Sequence, residues 1–449
     1  MKKNTVIKKE YTAPWEQAFN RILMPLEEFI HRQTTSGILL MLCAVIALII
    51  ANSPLAEGYH HLLETPFSIG FGSWILSMSL HHWINDGLMT LFFFVVGLEL
   101  KRELLVGELS NLKAASLPII AAVGGMIVPA LIYMGFNPNG STADGWGIPM
   151  ATDIAFALGV LALLGNRVPA ALLSFLVALA IVDDLGAVLV IAVFYTAKLN
   201  MEALIGAGVV FVLLASLNLG GIRKPLPYVL LGILLWLFLL KSGIHATLAG
   251  IFLAFIIPIR PKYDPIRFLQ RAKALLQEIS QNYKEEPNII KNYKMRSKVR
   301  ALETGVHRVQ APAQVLEHTM HIPTAYLIIP IFSLANAGVP IEFGKLLNTL
   351  MHPVSMGVIS GLVIGKFIGI SLCVWLALKL GVSRLPSSLS MKHIIGAGLL
   401  AGIGFTMSIF IAELGFAHSL EDLLMAKTGI LIASLIAGTT GYFYLYLNS

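Results

Sequence analysis

Charge is the scarce component of this 449-residue chain. Asp, Glu, Lys and Arg make up 13% of it, against 56% hydrophobic residues, and mean hydropathy is +0.78. Soluble domains carry about 25% charged residues. A water-soluble fold cannot hide this much apolar surface, so that class is excluded and a polytopic membrane protein remains. Cysteine is scarcer still: Cys43 and Cys373 are the only two, and both lie inside apolar runs, which excludes a disulfide framework. The first apolar run begins near residue 36, too far in for a cleavable signal peptide. No strong direct repeat is present. The His60-His61 and His81-His82 pairs sit at a membrane edge without further ligands and read as interfacial, not as metal centres.

What is there is a succession of apolar segments. A helix needs about 20 mostly apolar residues to cross about 30 Å of hydrocarbon. Twelve segments qualify: 36–52, 80–100, 115–136, 148–165, 170–196, 201–218, 225–241, 243–259, 322–340, 354–379, 393–413 and 427–447. With the N-terminus inside, 27 Lys and Arg fall on the cytoplasmic side and four on the other (Lys198, Lys241, Lys345, Lys427). The positive-inside rule then puts both termini in the cytoplasm. This one-sided distribution also accounts for the net charge of +7 without a nucleic-acid partner.

The organisation expected is a cytoplasmic segment 1–35, spans one to eight in 36–259, a cytoplasmic loop 260–321, and spans nine to twelve in 322–449. Residues 17–32 place Phe19, Ile22, Leu23, Leu26, Phe29 and Ile30 at helical spacing, as in a helix lying on a membrane surface. Within 260–316, RFLQRAKALLQEISQNY reads either as a basic amphipathic helix or as a solvated loop. The fourth and eleventh spans carry unusual interruptions, IPMATDIAFALG and AGIGFTMSIF. Interrupted segments in corresponding places of two halves point to a transporter binding site.

Four charges stand inside apolar spans: Asp153, Asp183, Asp184 and Lys366. Each costs about 2.5–3.5 kcal/mol at a helix centre, on the order of 10 kcal/mol together. One lysine cannot neutralise two adjacent acids, and two carboxylates in a confined apolar place repel. Such a pair holds protons, or it releases them and holds a small hard cation through oxygens, but not both. That exclusion is the essence of cation/proton exchange. Lys366 reads either as a structural partner of one aspartate or as part of the exchange. Asp153 reads either as a functional acid or as a carboxylate offsetting the N–H groups of an interrupted helix. Thr152 adds a hydroxyl oxygen beside it.

Seven ordered stretches carry a resemblance: VVGLELKREL (95–104), MATDIAFALGVLALLG (150–165), ALAIVDDLGAVLVIAVFYT (178–196), SGIHATLAGI (242–251), LANAGV (334–339), GLVIGKFIGI (361–370) and GIGFTMSIFIAELGF (402–416). Together they resemble the NhaA family of bacterial sodium/proton antiporters. The resemblance implies an all-α fold of twelve transmembrane helices in the inner membrane, an inverted repeat with two broken crossing helices. It implies electrogenic exchange of two protons inward for one Na⁺ or Li⁺ outward, with no cofactor and no enzymatic activity. Asp184 matches the primary cation ligand, Asp183 its partner, Lys366 the opposing lysine, and Asp153 the carboxylate at the crossing, with Thr152 beside it. Glu99, Arg102, Glu103, Glu317, His318 and His321 look like the family's cytoplasmic pH sensor. His245 reads either as a buried hydrogen-bonding group or as a modulator of the pH response. The segment 66–80 matches a dimerising β-hairpin, so a homodimer embedded in lipid is expected. Two departures stand next to the sensor: the long insertion 260–316, and Gln314 and Val315 where some members carry basic residues. The rival readings are a carrier of an organic substrate, for which the spans hold few spare aromatic or Arg residues, and a channel, which adjacent acids opposed by a lysine disfavour.

Overall fold

The computed structural model describes residues 33–72, 74–196, 199–261, 263–285, 292–342 and 344–448. The amphipathic segment 17–32 lies outside them. The helices run α1 Gln33–Ala51, α2 Ala56–Glu64, α3 Leu80–Leu105, α4 Leu112–Phe136, α5 Ser141–Met150 (a 3₁₀ helix), α6 Ile154–Leu163, α7 Ala170–Phe194, α8 Met201–Leu219, α9 Pro225–Ser242 and α10 Leu248–Ile256. They continue with α11 Pro265–Glu285, α12 Tyr293–Val309, α13 over 312–336, α14 Leu346–Met351, α15 Pro353–Lys379, α16 Met391–Leu400, α17 Phe405–Gly415 and α18 Leu420–Asn448.

All twelve apolar segments are helical. Seven are single helices long and apolar enough to cross a membrane, and three more are bent pairs: α1/α2 at 111°, α5/α6 at 42° and α16/α17 at 48°. The eighth segment is shorter than a full crossing because the chain turns at Gly243 (φ +85°) and resumes helix only at Leu248. The ninth begins at Pro312, well before its apolar stretch, because Pro at the first helical position starts a helix without losing a bond. Its polar first turns hide it from a hydropathy reading.

Two packing features position the site. The α5/α6 and α16/α17 breaks meet: the Asp153 amide donates to the Ile403 carbonyl at 2.7 Å. Lys366 follows a π-helical turn, Gly361–Gly365, in α15. A π turn inserts a residue and re-aims those after it. Gly369 of α15 lies against the Gly124 backbone of α4, where a Cβ would collide, so the two helices touch backbone to backbone beside Lys366.

Outside the bundle, β1 (Pro66–Phe71) pairs antiparallel with β2 (Trp74–Ser79), Ser68 opposite Ser77 with their hydroxyls 2.7 Å apart. The hairpin expected over 66–80 is formed. In the insertion, α11 and α12 pack together as a helical hairpin, tied by the Lys298–Glu278 ion pair. Of the two readings of RFLQRAKALLQEISQNY, the amphipathic helix holds.

Candidate functional site

Adjacent residues on a helix point about 100° apart. Asp183 and Asp184 on α7 therefore face different surroundings although both are buried. Asp183 Oδ2 accepts a hydrogen bond from Lys366 Nζ and one from Thr152 Oγ1 at 2.7 Å. Lys366 is fully buried, with a second carboxylate nowhere in ion-pair range among the described residues. Asp184 has no ion-pair partner there, and its Oδ1, like Asp183 Oδ1, has no hydrogen-bond donor. It faces a cavity of about 270 Å³ whose wall includes Thr152, Asp153, Thr406, Glu99 and His321.

Asp153 holds the crossing together. Its Oδ1 accepts from the Phe156 amide at 2.9 Å, capping α6. Its Oδ2 accepts from the Thr406 amide at 3.0 Å and the Thr406 hydroxyl at 2.5 Å, in the first turn of α17. One carboxylate thus meets the positive ends of two half-helices. Thr152 spans the same crossing, its hydroxyl 2.9 Å from the Ala401 carbonyl.

A second, polar cavity of about 730 Å³ opens toward the C-terminal end of α17, lined in part by His81, Asp86, Asp144, His245 and Glu413. Glu413 pairs with Lys427 at 2.5 Å and lies 3.7 Å from His81 Nε2. An aromatic cluster borders this cavity: Phe410 lies 5.3 Å from Phe93 and 6.3 Å from Phe332, ring centre to ring centre, with His245 at 5.9 Å.

The sequence profile of the Na⁺/H⁺ antiporter 1 family matches residues 27–445. The chain belongs to that family. It is similar to a Na⁺/H⁺ antiporter NhaA 1 of Saccharophagus degradans, 54% identical over 432 residues, covering 96% of this chain and 93% of the relative. An NhaA antiporter of Sulfurimonas denitrificans is 52% identical, with 96% and 97% covered, and one of Dichelobacter nodosus 47% identical, with 98% and 95% covered. Membership and the apolar helices together make this a multi-pass membrane protein.

For this antiporter-family chain, five of the residues singled out by sequence (Thr152, Asp153, Asp183, Asp184, Lys366) gather within one hydrogen-bonded and cavity-facing set. Of the second cluster, Arg102 bonds Glu103 and Glu317, each at 3.0 Å, joining α3 to α13, while Glu99 and His321 line the Asp184 cavity. His318 is exposed on α13. His245 is not brought to that cluster; it faces the second cavity. Two residues escaped the sequence reading. Thr406 is quoted in its motif, but only the fold puts its hydroxyl on Asp153. Lys101 looks like one more positive-inside charge, yet its Nζ is buried against the carbonyls of Phe255 (2.7 Å) and Ile257 (2.5 Å) at the end of α10.

Proposed function

We propose that the chain is an electrogenic antiporter of the bacterial inner membrane that exports Na⁺ or Li⁺ in exchange for protons, with both termini cytoplasmic. One observation carries the reading: Asp183 is neutralised by Lys366 while its neighbour Asp184 has no counter-ion and faces a cavity at the crossing of two broken helices.

In the cation-free carrier, Lys366 balances Asp183 and a proton balances Asp184. A dehydrated Na⁺ entering the cavity takes the place of the Asp184 proton and competes with Lys366 for Asp183. Loss of the Lys366 proton releases the second carboxylate. Two protons leave the site for one cation that enters, so one net charge moves per cycle. Cation and protons use the same oxygens, which couples their fluxes. Thr152 and the Ala401 carbonyl supply neutral oxygens suited to a hard cation. The Glu99, Arg102, Glu103, Glu317, His318 and His321 group reports cytoplasmic pH, and His245 acts from the outer cavity. The exposed apolar residues of the hairpin (Phe67 and Ile69 on one face, Ile75 on the other) support a homodimer.

The test is cation-driven proton movement in everted membrane vesicles carrying the full chain. NaCl and LiCl collapse an imposed ΔpH, and Asp184→Asn or Asp183→Asn abolishes the response in folded, membrane-inserted protein. A wild-type chain silent to both cations from about pH 6.5 to 9, a window around the neutral-to-alkaline range of His and coupled carboxylates, ends the antiport reading. Full activity in either Asp→Asn variant ends the assignment of that acid.

A further inference from the structure

The α11–α12 hairpin holds a cavity that the transport site does not use. It measures about 270 Å³ and lies between facing sides of the two helices. Three arginines line it: Arg271 from α11, Arg300 and Arg308 from α12. No carboxylate does, and among the described residues none of the three has an acidic side chain within 4 Å. Arg308 Nη1 donates only to a neutral group, the Tyr263 hydroxyl, at 2.7 Å. Ser297 and Thr304 add hydroxyls to the wall. Three cationic side chains lining one cleft repel, and a pocket whose acceptors are only neutral hydroxyls calls for an anion. Arginine forks match phosphate oxygens in particular.

A second observation, independent of the arginines, says where that phosphate resides. On another face of α11, Ile266 (69% exposed), Leu269 (56%) and Leu276 (54%) form an apolar stripe at helical spacing, prolonged by Tyr283, that stays exposed among the described residues. The helix is otherwise polar and basic, and 260–308 as a whole carries twelve Lys and Arg against five Asp and Glu. An apolar stripe on a basic helix is the signature of an element lying in a membrane interface. The hairpin is also rooted at that interface. Only eight residues separate the end of α10 from the start of α11, the Ala313 amide bonds the Pro258 carbonyl at 3.2 Å, and the Tyr263 amide bonds the Arg308 carbonyl at 3.1 Å.

We propose that this hairpin is a lipid-binding element: Arg271, Arg300 and Arg308 hold the phosphate of an anionic phospholipid headgroup while the Ile266–Leu269–Leu276 stripe enters the bilayer surface. Arg308 stands four residues before α13, so an occupied pocket bears on the helix that carries Glu317 and His321.

The experiment uses the full-length detergent-solubilised protein titrated with phosphatidylglycerol, with phosphatidylcholine, or with inorganic phosphate. Bound lipid is counted by native mass spectrometry, and thermal stability is followed in parallel. Phosphatidylglycerol is expected to bind and raise the melting temperature, and phosphatidylcholine and inorganic phosphate to do neither. Combining Arg271→Gln, Arg300→Gln and Arg308→Gln is expected to weaken phosphatidylglycerol binding roughly a hundredfold, at about fivefold per basic residue. A charge-matched control, Arg267→Gln, Lys273→Gln and Arg296→Gln, retains it. Equal losses in the two triple variants mean diffuse charge attraction and overturn the site. Inorganic phosphate binding as well as phosphatidylglycerol overturns the lipid as occupant. Antiport assayed in both variants shows that each is folded, so a loss of binding is read against an intact protein.

Discussion

Thr152 has one hydroxyl proton and two acceptors within reach, Asp183 Oδ2 at 2.7 Å and the Ala401 carbonyl at 2.9 Å. It satisfies only one at a time as donor. When Asp183 is ionised, the proton goes to the carboxylate and the Ala401 carbonyl keeps a lone pair turned toward the crossing. When Asp183 is protonated, it donates to Thr152, which donates on to Ala401. The hydroxyl thus follows the charge state of the acid. Thr152→Val keeps the shape and removes the relay: the apparent KM for Na⁺ should rise about tenfold, the worth of one net hydrogen bond, while Thr152→Ser stays near wild type. Sodium titrations of the vesicle response check both. Lys101 is a structural counterpart. Lys101→Met leaves the last carbonyls of α10 without a donor and should cost about 3 kcal/mol of stability, read as a lower melting temperature of the purified protein. At this scale, legibility follows contrast. Asp183, Asp184 and Lys366 stand out because their sequence neighbours are apolar. Lys101 is hidden because Arg102 and Glu103 beside it make any charge look solvated.

The elements were legible where composition alone decides them and obscure where a few polar residues ride on a helix. Apolar runs marked all twelve segments, and Asp153 and the glycines of AGIGF marked both breaks. The register of those breaks was not legible, because a crossing depends on which loop carbonyl meets which amide at long range. The early start of α13 was hidden by Glu317, His318 and His321, which lower its hydropathy without weakening its helix. Those residues tie α13 to α3 through Arg102, at 3.0 Å from both Glu103 and Glu317. Removing that cation in Arg102→Gln leaves Glu99, Glu103 and Glu317 facing one another. The tie between α3 and α13 is lost with it, so the pH profile of antiport should shift, which the vesicle assay run as a pH series detects. The β-hairpin makes a separate claim. No third strand pairs with it among the described residues, and deleting residues 66–79 should turn the proposed dimer into a monomer by light scattering while leaving the transport site intact.

Across the whole molecule, two polar cavities meet one face of α17 at successive levels along its length. Thr406 lines one and Phe410 the other, a single helical turn or about 6 Å apart. Filled with water and ions, such cavities would carry the potential of each bathing solution inward, so that on the proposed antiport reading much of the membrane voltage would fall across the short protein layer between them instead of being spread over about 30 Å of hydrocarbon. At 100 mV each elementary charge crossing that stratum exchanges about 2.3 kcal/mol with the field. A field so concentrated would exceed that in the surrounding lipid and would act directly on the charges that the proposed exchange moves. On the proposed electrogenic exchange, the thinness of that layer would let membrane potential drive sodium export directly.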